Sequence, residues 1–475
     1  MADGSIGYEA FLREKIRLAP LSGFECEARE VNPLLKPHQR DIVQWVVRGG
    51  SRAIFAAFGL GKTFMQIESV RLLRVRAGGK ALIICPLGVR QEFRRDGARL
   101  GVDFKFIRRA EEMAESDSGF YLTNYESVRD GRLDVNLFSV VSLDEADVLR
   151  SYGSKTFQTF MDLFQSVRFR LVATATPSPN RFKELIHYAG FLGIMDTGQA
   201  LTRFFKRDST QANNLTLYPH KEQEFWLWLS SWAIFLQRPS DLGHDDTGYD
   251  LPPLNVHWHE LPTDHSAAGE DRDGQVLMFR DAAIGVTAAA SEKRDSLPAR
   301  VERMLSIVRE HPDDHWLIWH DLEDERRAIQ SALPTAVSVY GSQDLDVREQ
   351  AIVDFSDGKI QYLSAKPVIA GSGCNFQRFC NRAVFLGVGY KFKDFIQAVH
   401  RIYRFLQGKP CEIHVIHTEA EREIVRTLQA KWAQHTHMLA QMGEVIRAHG
   451  LNSLSLADAM ARSMGVSRRE ESGEN

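Results

Sequence analysis

The sequence predicts an α/β fold made of two parallel-sheet domains in tandem. Three observations predict it. Short, nearly continuous apolar runs alternate with helical patterns from residue 51 to about residue 176. The same rhythm returns from about residue 298. The first apolar run also leads through a glycine-bearing turn, "AAFGLGKTFMQ", into a helical pattern. Strands apolar along their whole length and separated by helices belong to parallel sheets, because crossover helices cover both faces.

Taken in order, "RAIFAAF" reads as a buried strand. The helix after it carries Ile67, Val70 and Leu73 on one face and stops at Gly78-Gly79. The strand "ALIICP", the helix "GVRQEFRRDGARL", the short strands "DFKFI" and "FYLTN", the strand "FSVVSLDEAD", the helix "KTFQTFMDLFQ" and the strand "RFRLVATATP" follow. The second series runs helix "PARVERMLSIVREH", strand "HWLIWH", helix "DERRAIQSAL", strand "AVSVYG", helix "VREQAIVDF", strands "KIQYLSA" and "RAVFLG", helix "KDFIQAVHRIYRF" and strand "CEIHVIH". Residues 196–297 read differently. "FFKRDSTQANN" is polar and basic, "RPSDLGHDDTGYDLPPLN" is rich in turn residues, and "TDHSAAGEDRDGQ" reads as a mobile loop. This gives an N-terminal domain over 1–195, a bridge over 196–297 without a sheet of its own, a C-terminal domain over 298–420, and a helix with a disordered tail over 421–475.

Composition narrows the function classes. The formal charge of the 475-residue chain is −3, so no global basic field announces nucleic acid, although a basic groove balanced by acid elsewhere is compatible with it. Five scattered cysteines (Cys26, Cys85, Cys374, Cys380, Cys411) form no C-x-x-C pair and no zinc spacing, which reads as reduced thiols in a reducing compartment. The N-terminus has no apolar core of a signal peptide. The longest apolar stretch, "FWLWLSSWAIFL", is about half of what a membrane helix needs and reads as one buried helix with Trp226, Trp228 and Trp232 in the core.

The chemistry begins at the glycine turn. A chain leaving a buried strand must turn sharply to present backbone N–H groups to phosphate oxygens at a helix N-terminus. Gly59, Leu60 and Gly61 supply that turn. Lys62 carries charge to the β- and γ-phosphates, and Thr63 offers a hydroxyl to Mg²⁺. Downstream, "VVSLDEAD" sets Asp144 and Glu145 at a strand's C-terminal end, where open α/β sheets bind ligands. Asp144 is the candidate for the Mg²⁺ shell and Glu145 for the base that deprotonates the attacking water. An acidic helix start is the bland alternative, and the upstream phosphate loop decides against it.

Other motifs follow in order. "LKPHQ" places Gln39 upstream of the loop, "ATATPSPN" ends the last strand of the first domain, "AGSGCNFQ" contains Ser372 and Gly373, and "QAVHRIYRFLQ" contains Gln397, Arg401 and Arg404. The form A-x-x-G-x-G-K-T from Ala56 to Thr63 and this ordering resemble the superfamily-2 helicases and translocases. The sequence Asp-Glu-Ala-Asp invites comparison with DEAD-box RNA helicases. However, "LLKPHQ" does not show the aromatic that their adenine motif places well upstream of the glutamine, and the last motif ends in Gln407 rather than Arg. "GLGKT", G-S-G-C-N-F-Q and Q-x-x-x-R-x-x-R-x-x-Q are similar to Swi/Snf-type double-stranded DNA translocases. Thr174 to Asn180, Lys366 to Gln377 and Trp232 to Gly243 are similar to compact Swi/Snf-like proteins of phages and prophages. The acidic box departs from DEAH or DEGH, and the large inserts of chromatin remodellers are absent, which weighs against nucleosome remodelling.

The resemblance spans roughly residues 30–420 and implies two RecA-like lobes of the P-loop NTPase class with ATP in the cleft between them. It also implies Mg²⁺, Gln39 at the adenine edge, Gly373 near the nucleotide, and Arg401 and Arg404 on one helix as arginine fingers with Gln397. The implied partner is DNA, double-stranded and without sequence preference, contacted at its phosphates by Arg90, Thr123, Asn124 and Ser372. A monomer in the cytoplasm of a bacterial cell or phage-infected host, with no membrane association, completes the expectation. Arg90, Arg94, Arg95 and Arg99 read equally as a DNA contact or a solvated helix face; Arg203, Lys206 and Arg207 are a weaker case of the same choice. Two other functions share the ATP chemistry: a strand-separating DNA or RNA helicase, and an ATP-dependent switch acting on a protein partner.

Overall fold

The computed structural model describes residues 18–115, 119–150, 155–178, 181–207, 215–264, 286–370 and 375–465. The chain divides into two compact units, residues 1–246 with 436–475, and residues 247–435.

In the first unit, α1 (Pro37–Gly49) leads to β1 (Arg52–Ala56) and α2 (Lys62–Ala77). Then come β2 (Ala81–Ile84), α3 (Arg90–Arg99), β3 (Lys105–Phe106), β4 (Phe120–Thr123), α4 (Tyr125–Arg129), β5 (Val140–Asp144), α5 (Lys155–Leu163) and β6 (Phe169–Thr174). The unit continues through α6 (Glu184–Leu192), α7 (Thr197–Phe204), β7 (Phe205–Arg207), β8 (Leu215–Leu217), α8 (Glu222–Ser230) and β9 (Ala233–Leu236). Its main sheet has the order β3-β4-β2-β5-β6-β1-β9, every pair parallel. The central strands are buried along their length, as their unbroken apolar runs require.

Two expectations are corrected here. "FWLWLSSWAIFL" is not one helix. α8 stops at Ser230, the Ser230 and Ser231 hydroxyls donate back to the Trp226 and Trp228 carbonyls (3.0 and 2.7 Å), and Ala233–Leu236 pairs in register with β1. A run apolar on every side suits a buried strand as well as a buried helix, so periodicity could not separate them. The three tryptophans are core, as expected. The bridge also contributes to sheets: β9 extends the first sheet, and β7 and β8 form an antiparallel ribbon.

The second unit contains β10 (Leu254–Leu261), α9 (Val286–Asp295), α10 (Leu297–Glu310), β11 (His315–Trp319), α11 (Glu323–Ala332), β12 (Val337–Val339) and α12 (Leu345–Ser356). It continues with β13 (Tyr362–Ala365), α13 (Pro367–Ala370), β14 (Cys380–Phe385), α14 (Phe392–Val399) and β15 (Cys411–Thr418). Its sheet has the order β10-β15-β14-β11-β13-β12, again parallel throughout. Leu317, Trp319 and Phe385 face one apolar cluster, and Trp316, Ile318 and Val384 face another. Both faces are therefore covered. β10 was hidden in the sequence because it is an edge strand with alternating exposure, not an apolar run. The unit boundary falls in helix α15 (Arg422–His449), which is followed by α16 (Ser453–Ser463). Cys26, Cys85, Cys380 and Cys411 are free and buried. Among the described residues no helix is long and apolar enough to cross a membrane. Ser372, Gly373, Cys374, most of the loop expected at 263–275 and the tail expected from Ser467 lie outside the described residues.

Candidate nucleotide site

The loop between β1 and α2 turns through two left-handed glycines, Gly59 (φ 91°) and Gly61 (φ 80°). A Cβ on Gly61 would stand 2.3 Å from the Gln39 amide nitrogen and displace that side-chain tip from its bond to Leu60, and the backbone angle itself calls for glycine. Gln39 sits in the first turn of α1. Its Nε2 donates to the Leu60 carbonyl at 2.9 Å, and its Oε1 accepts from the Lys36 N–H at 2.9 Å. These bonds use two of the four hydrogen-bonding capacities of the amide. Gln39, the residue expected at the adenine edge, is thus fastened to the glycine loop itself. Gly61 is the N-cap of the sixteen-residue α2, which starts at Lys62 with Thr63 next, so the positive end of the helix dipole faces the loop.

Opposite stand the carboxylates. Lys62 Nζ lies 2.7 Å from Glu145 Oε1 and 3.2 Å from Asp144 Oδ1. Burial works against the Lys62 charge, but Asp144 and Glu145 together outweigh it and hold the ammonium above its ordinary pKa. Glu145 has a left-handed backbone (φ 51°), which is uncommon for a residue other than glycine, asparagine or aspartate. Its N–H donates to the Ala173 carbonyl at 2.9 Å, which anchors the strained residue to β6. Its Oε2 accepts from the Thr174 hydroxyl at 2.9 Å, and that hydroxyl oxygen accepts from the Thr176 N–H at 3.1 Å. The Tyr125 hydroxyl donates to the Asp144 carbonyl at 2.7 Å. Behind the loop, Gln66 Nε2 donates to Ser142 Oγ at 2.7 Å and ties α2 to β5.

These residues fit a magnesium nucleotide. The loop offers a glycine cradle at a helix N-terminus, and Lys62 offers a cation. Thr63 and Asp144 offer the hard oxygen donors that suit Mg²⁺. Among the described residues no group of three or more His, Cys, Asp or Glu could hold an ion unaided.

Residues 38–225 match the family described as SNF2-related domain. That match takes in the glycine loop, Lys62 and the Asp144-Glu145 strand end, and it supports an ATPase. No curated protein matches the chain. Among solved structures, the Sulfolobus solfataricus SWI2/SNF2 ATPase core in complex with dsDNA aligns over 91% of this chain and 99% of its own at 18% identity, with a TM-score of 0.42. That likeness is too distant to carry a functional argument.

Of the other expected residues of the ATPase, Arg90 begins α3 and lies over the Phe106 ring at 5.8 Å. Arg94, Arg95 and Arg99 are exposed on that helix; Arg95 and Arg99 flank the buried Asp96, at 3.4 and 3.9 Å. Thr123 is fully buried at the end of β4, which leaves it no surface to offer a strand of nucleic acid. Asn124, half-buried, spends its amide locally on Glu126 and Ser127.

In the second unit Gln397 is buried in α14, but that helix ends at Val399 rather than running to Phe405. Arg401 and Arg404 lie in the turn beyond it, Arg401 buried and Arg404 half-buried. The turn is closed by Gln407, whose Nε2 donates to the Ile402 and Cys380 carbonyls, and by Leu406 at φ 70°. The sequence had given no role to Thr174, Thr176 or Tyr125. The polar "TATP" after an apolar strand was a signal for the first two; Tyr125 left none.

Proposed function

We propose that the ATPase couples hydrolysis at this site to movement along DNA, duplex DNA in particular. The observation that supports this most is the convergence of Lys62, Asp144, Glu145 and Thr174 at the C-terminal edge of one sheet, beside a two-glycine phosphate loop. Lys62 would bind the β- and γ-phosphates. Glu145, oriented through Thr174, would take the proton of the attacking water onto its carboxylate. Thr63 and Asp144 would hold Mg²⁺, which would supply positive charge to the transferred group. Arg401 and Arg404 would add positive charge at the γ-phosphate, with Gln397 supporting them. Arg90, Asn124 and Ser372 would contact the DNA backbone.

The DNA assignment rests on the SNF2-related domain and on the motif resemblance in the second half of the chain. The likeness to compact phage and prophage proteins, a monomeric state and a cytoplasmic setting belong to the same proposal. The experiment is ATPase activity with duplex DNA, single-stranded DNA and single-stranded RNA, followed by displacement of a triplex-forming strand. Duplex-stimulated turnover with triplex displacement is the expected result. Stronger stimulation by RNA, or fork unwinding without triplex displacement, would replace the translocase with a helicase. Turnover indifferent to any nucleic acid would leave a protein switch.

A further inference from the structure

The stretch Trp232–Gly243, "WAIFLQRPSDLG", takes no part in the chemistry above, yet it and the His244 that follows it are connected to the phosphate loop along two routes. The first is direct: β9 pairs with β1 with Leu236 opposite Ala56, and the Leu236 carbonyl accepts from the N–H of Ala57, the residue that starts the loop, at 2.8 Å. The second runs through α1. His244 Nε2 lies 2.7 Å from Asp41 Oδ2, and Asp41 stands two residues after Gln39, whose amide holds the Leu60 carbonyl. The turn between Gln237 and His244 therefore begins one residue after the Leu236 that holds Ala57, and its far end reaches, through α1, the residue that holds Leu60.

Asp241 is the centre of this turn. Its Oδ2 accepts from the N–H groups of Gln237 and Arg238 at 2.9 and 3.1 Å, which curls the chain, and Gly243 closes the curl in the left-handed region. Its Oδ1 accepts from Arg447 Nη1 of α15 at 2.9 Å. The Asp241 side chain is 1% exposed, whereas that of Arg447 is 51% exposed. A second bond from the same helix, Gln237 Nε2 to the Leu439 carbonyl at 2.5 Å, lies one side of this pair.

We propose that the Gln237–His244 turn braces the phosphate loop and that Arg447 locks the brace, as a positioning residue for ATP binding supplied by the C-terminal helix. The inference rests on the reading that ATP binds at the loop. A cradle of backbone N–H groups binds phosphate only while those groups stay aimed, so loosening the brace weakens binding. The proton-transfer machinery on β5 and β6 makes none of these bonds, so chemistry on bound ATP persists.

The test is steady-state ATPase kinetics and binding of a fluorescent ATP analogue by the full chain. Arg447→Ala is expected to raise KM for ATP about tenfold, the loss of one charge-assisted hydrogen bond, with kcat within about twofold of the parent. Arg447→Lys should restore most of the affinity, and Asp241→Asn combined with Arg447→Ala should add little beyond either single change. Arg447→Met, which keeps the packing without a donor, serves if Arg447→Ala does not fold. A KM within about twofold of the parent in either folded variant, whatever its melting temperature, overturns the brace. Lys62→Ala separates the two levels of the argument. If it abolishes binding while the Arg447 variants bind normally, the ATP site stands and the brace fails. If it leaves binding intact, the reading of the loop fails first.

Discussion

Replacing Glu145 by glutamine would remove the proposed base while leaving almost everything else in place. The substituted amide keeps the volume, and its oxygen still accepts from Lys62 where Oε1 now does at 2.7 Å. Its nitrogen can donate to the Thr174 hydroxyl oxygen, which then turns its own proton elsewhere. The orientation therefore survives and the basicity does not. Positioned general bases contribute about 10²–10⁴-fold, or roughly 3–5 kcal/mol of barrier, so kcat should fall by that factor. Binding should move the other way. Lys62 now divides its charge between two carboxylates, and losing one frees it for phosphate, so ATP should bind as well as in the parent or better. The assay pairs single-turnover hydrolysis of radiolabelled ATP with equilibrium binding, which separates the chemical step from affinity. A kcat within tenfold of the parent would refute the assignment of Glu145 as the base. Weakened binding with intact single-turnover chemistry would make it a structural partner of Lys62 instead.

Other outcomes follow from the same geometry. Gly61→Ala puts a methyl group 2.3 Å from Gln39 Nε2 at φ 80°, so ATP binding measured by fluorescence titration should be lost while the melting temperature falls only modestly; normal binding would show that the loop does not hold phosphate. Because Glu145 is left-handed, Glu145→Gly should be more stable than Glu145→Ala by about 1 kcal/mol in urea unfolding, and the reverse order would mean that φ 51° carries no strain. Arg300, fully buried, donates to Glu421 at 2.6 Å and to the Leu386 and Ile416 carbonyls; Arg300→Met, which strands the buried Glu421, should cost about 3–5 kcal/mol in urea unfolding, and adding Glu421→Gln should recover part of it, whereas no recovery would mean that the stranded Glu421 charge is not the source. Burial holds His38, His187, His320 and His435 down at about 4, below their ordinary 6.5. The unfolded chain therefore binds protons between pH 6.5 and 4 that the folded chain refuses, and stability should fall across that window as pH drops, by at most ~3 kcal/mol per histidine. Urea midpoints that do not change between pH 7 and pH 5 would contradict it.

What could be read from the sequence was what is local. The Gly59-Leu60-Gly61-Lys62-Thr63 turn and the Asp144-Glu145 strand end are each encoded within a few residues, and strand-then-helix flanks identified them. β9 could not be read, because Ala233–Leu236 is apolar on both sides and only its pairing with β1 makes it a strand. β10 alternates in exposure at an edge and looked like linker. The last motif kept helical spacing through Arg401 and Arg404, but the bonds from Gln407 to the Ile402 and Cys380 carbonyls end the helix at Val399, and spacing does not record them. Asp241 and His244 belonged to a recognisable stretch, yet their partners lie about 200 residues away in sequence.

The strain at Glu145 has a geometric reason. In a strand, successive side chains point to opposite faces, so Asp144 and Glu145 in continuous β conformation could not both face one amine. Yet Lys62 Nζ is within 3.2 Å of Asp144 and 2.7 Å of Glu145. The alternation must break between them, and it breaks at φ 51° on Glu145. The backbone bond from Glu145 N–H to the Ala173 carbonyl and the side-chain bond from Thr174 pin the residue from the neighbouring strand on both counts. A left-handed glutamate costs of order 1–3 kcal/mol and persists only where its surroundings over-determine it. Here the surroundings are β6 and its Thr-Ala-Thr end, which explains why a short polar segment follows an apolar strand beside Glu145 and Lys62.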